Sequence, residues 1–263
     1  MFNFAELHPN AMLFRIGAYM SMCFAVDWTS TFLYTRYSGN KDEDLCRRIN
    51  NRSVSITHSI VMFVAAVYYW QYVNTTFTIR YSPIDIDAYE GIVNDIMTGY
   101  LIYDIYIEAF LETKKDYLTI THHIIGLLSH QAARWMICGP CTFYHMLIYL
   151  AEASTPFLHI SWIMNALGMA DNNIVFTLVG FCLLGNFLVF RIMLGPYILY
   201  EMYSNKALFE STTECQVQFW PNIVVLVMFN CINVVWFRKL IGMAIESLTG
   251  SKAKKNVETK KTK

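Results

Sequence analysis

Long apolar blocks alternate with short, charge-bearing stretches along this chain. Seven blocks are long enough to cross roughly 30 Å of hydrocarbon at about 1.5 Å per helical residue. They cover approximately residues 11–35, 54–73, 91–112, 117–138, 141–165, 172–199 and 219–247. Asp95, Asp104 and Glu108 interrupt the third. The blocks are too long for strands and lack the apolar–polar alternation of a barrel strand, so they predict helices. The pattern therefore predicts an all-α, polytopic membrane helix bundle of about seven transmembrane helices. There is no internal repeat, and the lysine-rich tail is the one low-complexity segment.

Composition supports the same class. Of 263 residues, 55% are hydrophobic, 16% aromatic and 15% charged, where a soluble domain carries about 25% charged residues. The formal net charge is zero, so nothing points to nucleic acid as a partner. Seven cysteines stand singly except for one close pair and imply no disulfide framework. The opening stretch MFNFAELHPNAMLFR has no basic region and no small-residue cleavage site, so an internal helix is expected to do the targeting.

Charge in the short loops sets orientation. The first loop carries Arg36, Lys41, Arg47, Arg48 and Arg52, the third Lys114 and Lys115, and the tail is basic throughout. The second, fourth and sixth loops carry one each: Arg80, Arg134 and Lys206. The positive-inside rule then places the N-terminus in the lumen and the C-terminus in the cytosol. So oriented, Lys260 and Lys261 have the spacing of a dilysine signal read by coat proteins, which predicts the endoplasmic reticulum. A solvated tail drawn to anionic lipid is the alternative. Asn74-Thr75-Thr76 becomes a lumenal glycosylation sequon and Asn51-Arg52-Ser53 a cytosolic one.

Cys138-Gly139-Pro140-Cys141 has the form of a redox tetrapeptide, yet it stands where a fourth helix must stop and a fifth begin. Turn residues are needed there anyway, so the expectation is a tight lumenal hairpin with room for a local disulfide.

Ionisable residues inside the apolar blocks are the stronger signal, because each is costly unless paired or facing a cavity. Asp104 and Glu108, four apart, share a helix face. His122 and His123 open the fourth helix about 100° apart around it, and His130 returns to nearly the face of His123. His145, Glu152 and His159 recur every seven residues as one continuous polar stripe, and Pro156 frees a carbonyl beside Glu152. These groups could converge on one interior, or merely pair to satisfy one another. Seven histidines without an HxxxH or HxxHH box predict no metal site. A paired imidazole suits proton transfer instead. Arg15 and Asp27 on the first helix have no assigned role.

Several strings resemble the TLC-domain family of multispanning membrane proteins, which includes the ceramide synthases. They are Asn51-Arg52-Ser53 with His58, Gly99-Tyr100-Leu101-Ile102-Tyr103-Asp104, the pair His122-His123, and Leu150-Ala151-Glu152-Ala153-Ser154-Thr155-Pro156-Phe157. The last is most similar to a non-synthase branch, that of TLC domain-containing protein 4. The resemblance implies an N-terminal helix and cytosolic loop over 1–49, a six-helix TLC domain over 50–247 and a basic cytosolic tail over 248–263. Ceramide synthases carry an HDxxD string where this chain has Ala151, Glu152 and Thr155. One acid is kept, lengthened, and the other is lost.

Two classes of function follow. In one, the polar interior binds or handles membrane lipid in the service of lipid homeostasis, either alone or as a lipid-holding subunit of a larger complex. The lost acid favours it. In the other, the chain is a ceramide-synthase-like acyltransferase that takes acyl-CoA as substrate, without a resident cofactor, and the retained histidine pair favours it. The catalytic residues would then be His122 and His123. Asp104, Glu108, His145, Glu152, Ser154, Thr155, His58 and Arg191 are the expected supporting or lipid-binding groups in either case. The expected partners are membrane lipids, and an oligomer is compatible with the pattern. A seven-helix receptor has the same orientation, but nothing in the loops supports it.

Overall fold

In hydrocarbon the backbone can satisfy its polar groups only within its own segment, so each apolar block must wind into a helix. A computed structural model describes residues 9–37, 42–76, 89–113, 115–136, 138–170, 173–210 and 212–248, and among these every regular element is helical. The order is α1 (Pro9–Tyr37), α2 (Glu43–Tyr68), α3 (Tyr89–Tyr106), α4 (Tyr117–Met136), α5 (Gly139–Ile148), α6 (Thr155–Ala166), α7 (Ile174–Phe187), α8 (Leu194–Ser204), α9 (Lys206–Phe209) and α10 (Thr213–Leu248). π-helical turns over Tyr69–Val73 and Ile107–Leu111 extend α2 and α3. A 3-10 stretch, Tyr149–Ser154, joins α5 to α6, and a π stretch, Leu188–Met193, joins α7 to α8. The result is seven long rods, one for each predicted block, in an all-α membrane helix bundle. Among the described residues, and by length and composition alone, three helices qualify to cross a membrane: Glu43–Val73, Ile174–Ser204 and Thr213–Glu246.

The second rod starts well before the predicted residue 54. Asp42 caps it, its side chain accepting from the N–H groups of Asp44 and Leu45, and Glu43 and Asp44 meet the positive end of the helix dipole. Arg47, Arg48 and Arg52, expected in a loop, therefore lie on the helix. Arg47 donates to the Leu111 carbonyl, and Thr113 Oγ1 donates to Asp44 Oδ1 at 2.6 Å. The start of α2 thus sits beside the end of α3.

The first rod gains its role from α3. Arg15 Nε donates to Asp95 Oδ2 at 2.7 Å, and Asp95 is fully buried. Gly99 lets the helices approach until an added Cβ would stand 2.7 Å from the Ile16 carbonyl oxygen.

After α4, α5 starts at Gly139 with Pro140 in its first turn, where a missing N–H costs nothing. The local disulfide is corrected. Cys138 pairs with Cys215 at the start of α10, Cα to Cα 5.2 Å, and Cys141 is a free, buried thiol. Packing of α10 against α5 brings the distant cysteine alongside, which no local spacing reveals. The bridge closes a separation of 77 residues. Cys215→Ser is expected to cost about 2–4 kcal/mol of stability and to abolish a reductant-sensitive gel shift, whereas Cys141→Ser should keep that shift. A wild-type band that runs alike with and without reductant would disprove the pairing.

The asparagines of both sequons are buried: Asn51 lies within α2, and Asn74 Nδ2 donates to Tyr69 Oη at 3.1 Å. The tail bearing Lys260 and Lys261 lies outside the described residues.

Candidate functional site

Departures from α-helical geometry coincide with the polar residues of the interior. Glu108 sits in the π turn Ile107–Leu111, Arg191 in the π stretch Leu188–Met193 and Glu152 in the 3-10 stretch Tyr149–Ser154. Such irregular turns re-aim side chains and recur at functional sites. The 3-10 stretch also answers the proline. Pro156 has no N–H to offer, and the Glu152 carbonyl accepts from the Thr155 N–H instead.

Between the rods lies a cavity of about 490 Å³, within the ~300–1,000 Å³ usual for small-molecule sites. One end reaches the exposed residues Asp116, Lys239 and Met243. Arg52, Asp104, Glu108, His122, His123 and His159 line it nearby, and Met97, Leu101, Ile198, Leu226 and Phe229 supply apolar wall.

The histidines have different surroundings. His123 Nδ1 lies 2.7 Å from Asp104 Oδ2 and 3.8 Å from Glu108 Oε2. His122 instead faces an aromatic wall, its ring centroid 4.7 Å from that of Phe229 and 5.2 Å from that of Trp236. Its Nδ1 is buried without a hydrogen-bond partner. A carboxylate beside an imidazole fixes the ring and the tautomer, as a catalytic base or a headgroup ligand requires. The acid at His123 comes from α3 and not from the α5–α6 rod, where the synthase pattern had placed it.

A second cluster is built from the 3-10 stretch, α6 and the π stretch that follows α7. Arg191 Nε donates to Ser154 Oγ at 2.8 Å and its Nη2 to Thr155 Oγ1 at 3.0 Å, while Thr155 Oγ1 donates to Glu152 Oε2 at 2.8 Å. Arg52 Nη1 lies 3.2 Å from His159 Nδ1, and its guanidinium lies 4.1 Å over the Trp162 ring.

Of the expected site residues, His122, His123, Asp104, Glu108, Glu152, Thr155 and Arg191 line the cavity. His58, His145 and Ser154 do not. His58 stacks on Tyr100 at 3.7 Å and 9°, and Tyr100, which does line the cavity, donates to Ser55 Oγ at 3.0 Å. His145 belongs to a separate small void with Ser129, His130 and Asn222, where its Nε2 lies 3.3 Å from Ser129 Oγ. The expected continuous stripe of His145, Glu152 and His159 is thereby corrected, because the 3-10 turns between His145 and His159 break the seven-residue period. Ser154 is fully buried and accepts from Arg191.

Arg52, Trp162 and Lys239 line the cavity too and were not among the expected site residues. For Arg52 the signal was its place in the Asn51-Arg52-Ser53 string, whose arginine was counted only as a loop cation. Among the described residues, Asp104, Glu108 and His123 form the trio that could hold a metal ion, one ligand atom from each lying within 4.8 Å of the others.

A family model for the TLC domain matches residues 48–242, beginning on α2 and ending on α10, with α1 outside it. TLC domain-containing protein 4-B of Danio rerio is 23% identical over 217 residues, which cover 81% of this chain and 80% of the relative. The helical bundle, the residues of its interior and the match over most of its length agree: the chain belongs to the TLC-domain family of membrane proteins, whose roles are generally lipid-related.

Proposed function

We propose that the protein binds a membrane lipid in the cavity and acts in membrane lipid homeostasis, with the endoplasmic reticulum as its site and its tail in the cytosol. The observation that carries this reading is the division of the cavity: charged groups near its open end, apolar wall beyond them. An amphiphile satisfies both at once, the headgroup meeting buried polar atoms that otherwise go unpaired and the chain covering apolar surface. A water-soluble metabolite would leave the apolar wall without a partner. The dilysine pair Lys260–Lys261 supports the location through coat binding.

The test is lipid retention by the purified full-length protein, read by mass spectrometry beside His122→Ala/His123→Ala. A lipid that co-purifies with wild type and falls about tenfold or more in the double variant is the expected result. Equal retention would remove the histidines from the site.

One observation favours a second reading, acyl transfer from acyl-CoA. The 2.7 Å contact between His123 and Asp104 supplies an orienting acid from α3 in place of the one lost at Thr155. Incubation with labelled acyl-CoA and mixed lipid acceptors separates the two. An acylated product that vanishes in the double variant establishes the enzyme, and bound lipid without turnover establishes the binder.

A further inference from the structure

The polar groups at the open end of the cavity have unmet needs of two opposite kinds. Asp104 Oδ1, Glu108 Oε2 and Asn51 Oδ1 are buried acceptors without a hydrogen-bond donor, although Asp104 is 1% exposed and Asn51 7%. Each such group is costly if left unpaired, and a charged one more so. Arg52 presents the reverse case. Its Nε is a buried donor without an acceptor. Its Nη1 faces only a histidine nitrogen, and no carboxylate among the described residues comes within ion-pair distance of it. Lys239 lines the same end and likewise forms no ion pair among those residues.

A ligand of one sign would satisfy one set of groups and burden the other. An anion such as a phosphate monoester fits Arg52 but faces the carboxylates of Asp104 and Glu108. A simple amine fits the carboxylates but leaves Arg52 unanswered. What fits both is a headgroup carrying a phosphodiester and an ammonium a few bonds apart.

The kind of ammonium is also specified. The orphan atoms are acceptors, so the cation must bring N–H bonds, and a quaternary choline has none. A quaternary group is otherwise held by open aromatic faces. Here Trp162 is covered by Arg52 at 4.1 Å and Trp236 stands against His122 at 5.2 Å.

We infer that the open end of the cavity binds the zwitterionic headgroup of an aminophospholipid, with the phosphodiester against Arg52 and Lys239 and the primary ammonium against Glu108 and Asp104. This rests on the lipid-binding reading above and narrows it to a class. Selectivity comes from the ammonium side, because the phosphodiester is common to ethanolamine and choline lipids.

The experiment offers the purified full-length protein equal amounts of dioleoyl phosphatidylethanolamine and dioleoyl phosphatidylcholine. Lipid retained after gel filtration is then read by mass spectrometry. Wild type should hold about tenfold more of the ethanolamine lipid, the worth of one charge-assisted hydrogen bond. Glu108→Gln should bring the ratio several-fold closer to one. Arg52→Gln should lower both lipids together and leave the ratio alone. Equal retention of the two lipids by wild type overturns the inference yet leaves a lipid-binding cavity standing. Retention of neither overturns the lipid reading itself. The wild-type ratio decides the matter even where a variant fails to elute as a single species.

Discussion

Gly99→Val is expected to be the most destabilising single substitution on the α1–α3 interface. A Cβ at Gly99 would stand 2.7 Å from the Ile16 carbonyl oxygen, 3.3 Å from the Met20 nitrogen and 3.3 Å from the Tyr19 Cβ. The first two are α1 backbone, so no rotamer change relieves the clash. Overpacking commonly costs about 1–3 kcal/mol where side chains can yield. Here the helices themselves must separate, and with them the Arg15–Asp95 pair, in which Asp95 is fully buried and Arg15 partly so; breaking a buried pair costs about 3–5 kcal/mol. We expect a loss of roughly 3 kcal/mol or more, read as a lower thermal midpoint in detergent and as faster proteolysis of α1. Gly180→Val, with nothing within 4 Å, serves as the control and should change neither. Equal behaviour of the two variants would refute the close crossing.

Asp104→Asn is expected to have the largest effect on ligand binding. The carboxylate touches His123 at 2.7 Å through one oxygen, and the other oxygen is buried with no donor. The amide keeps the shape and removes the charge, so an ammonium loses its counter-ion and His123 loses its orienting acid. Lipid retention should fall about tenfold or more. Stability should change less, by about 1–2 kcal/mol, for two reasons. His123 can shed its proton and so avoid becoming an unpaired buried charge, and interhelical polar contacts in membranes average only about 0.6 kcal/mol. Thermal unfolding measured on the same sample separates the two effects. A variant that keeps its lipid while losing its stability would make Asp104 a structural residue.

The site was half legible in advance. Asp104 and Glu108 sit four apart, and both meet His123, because spacing along one helix fixes which side chains share a face. His122 and His123 illustrate the opposite. Adjacency made them a pair, yet one contacts a carboxylate and the other an aromatic wall, since neighbouring residues point about 100° apart and meet different helices. His145 was misplaced by a period that assumed an unbroken helix.

What the chain determined by itself is the set of rods. Hydrocarbon leaves the backbone no partner but itself, so long apolar blocks become helices wherever they stand, and their ionisable residues must be paired or face a cavity. Only the tertiary structure decided which rods meet and at what rotation. Arg15 finds Asp95 across 80 positions, Arg52 finds His159 across 107, and Cys138 finds Cys215 across 77. Periodicity is local to one helix, whereas such pairings depend on how close-packed helices seat against one another, down to a single missing Cβ at Gly99.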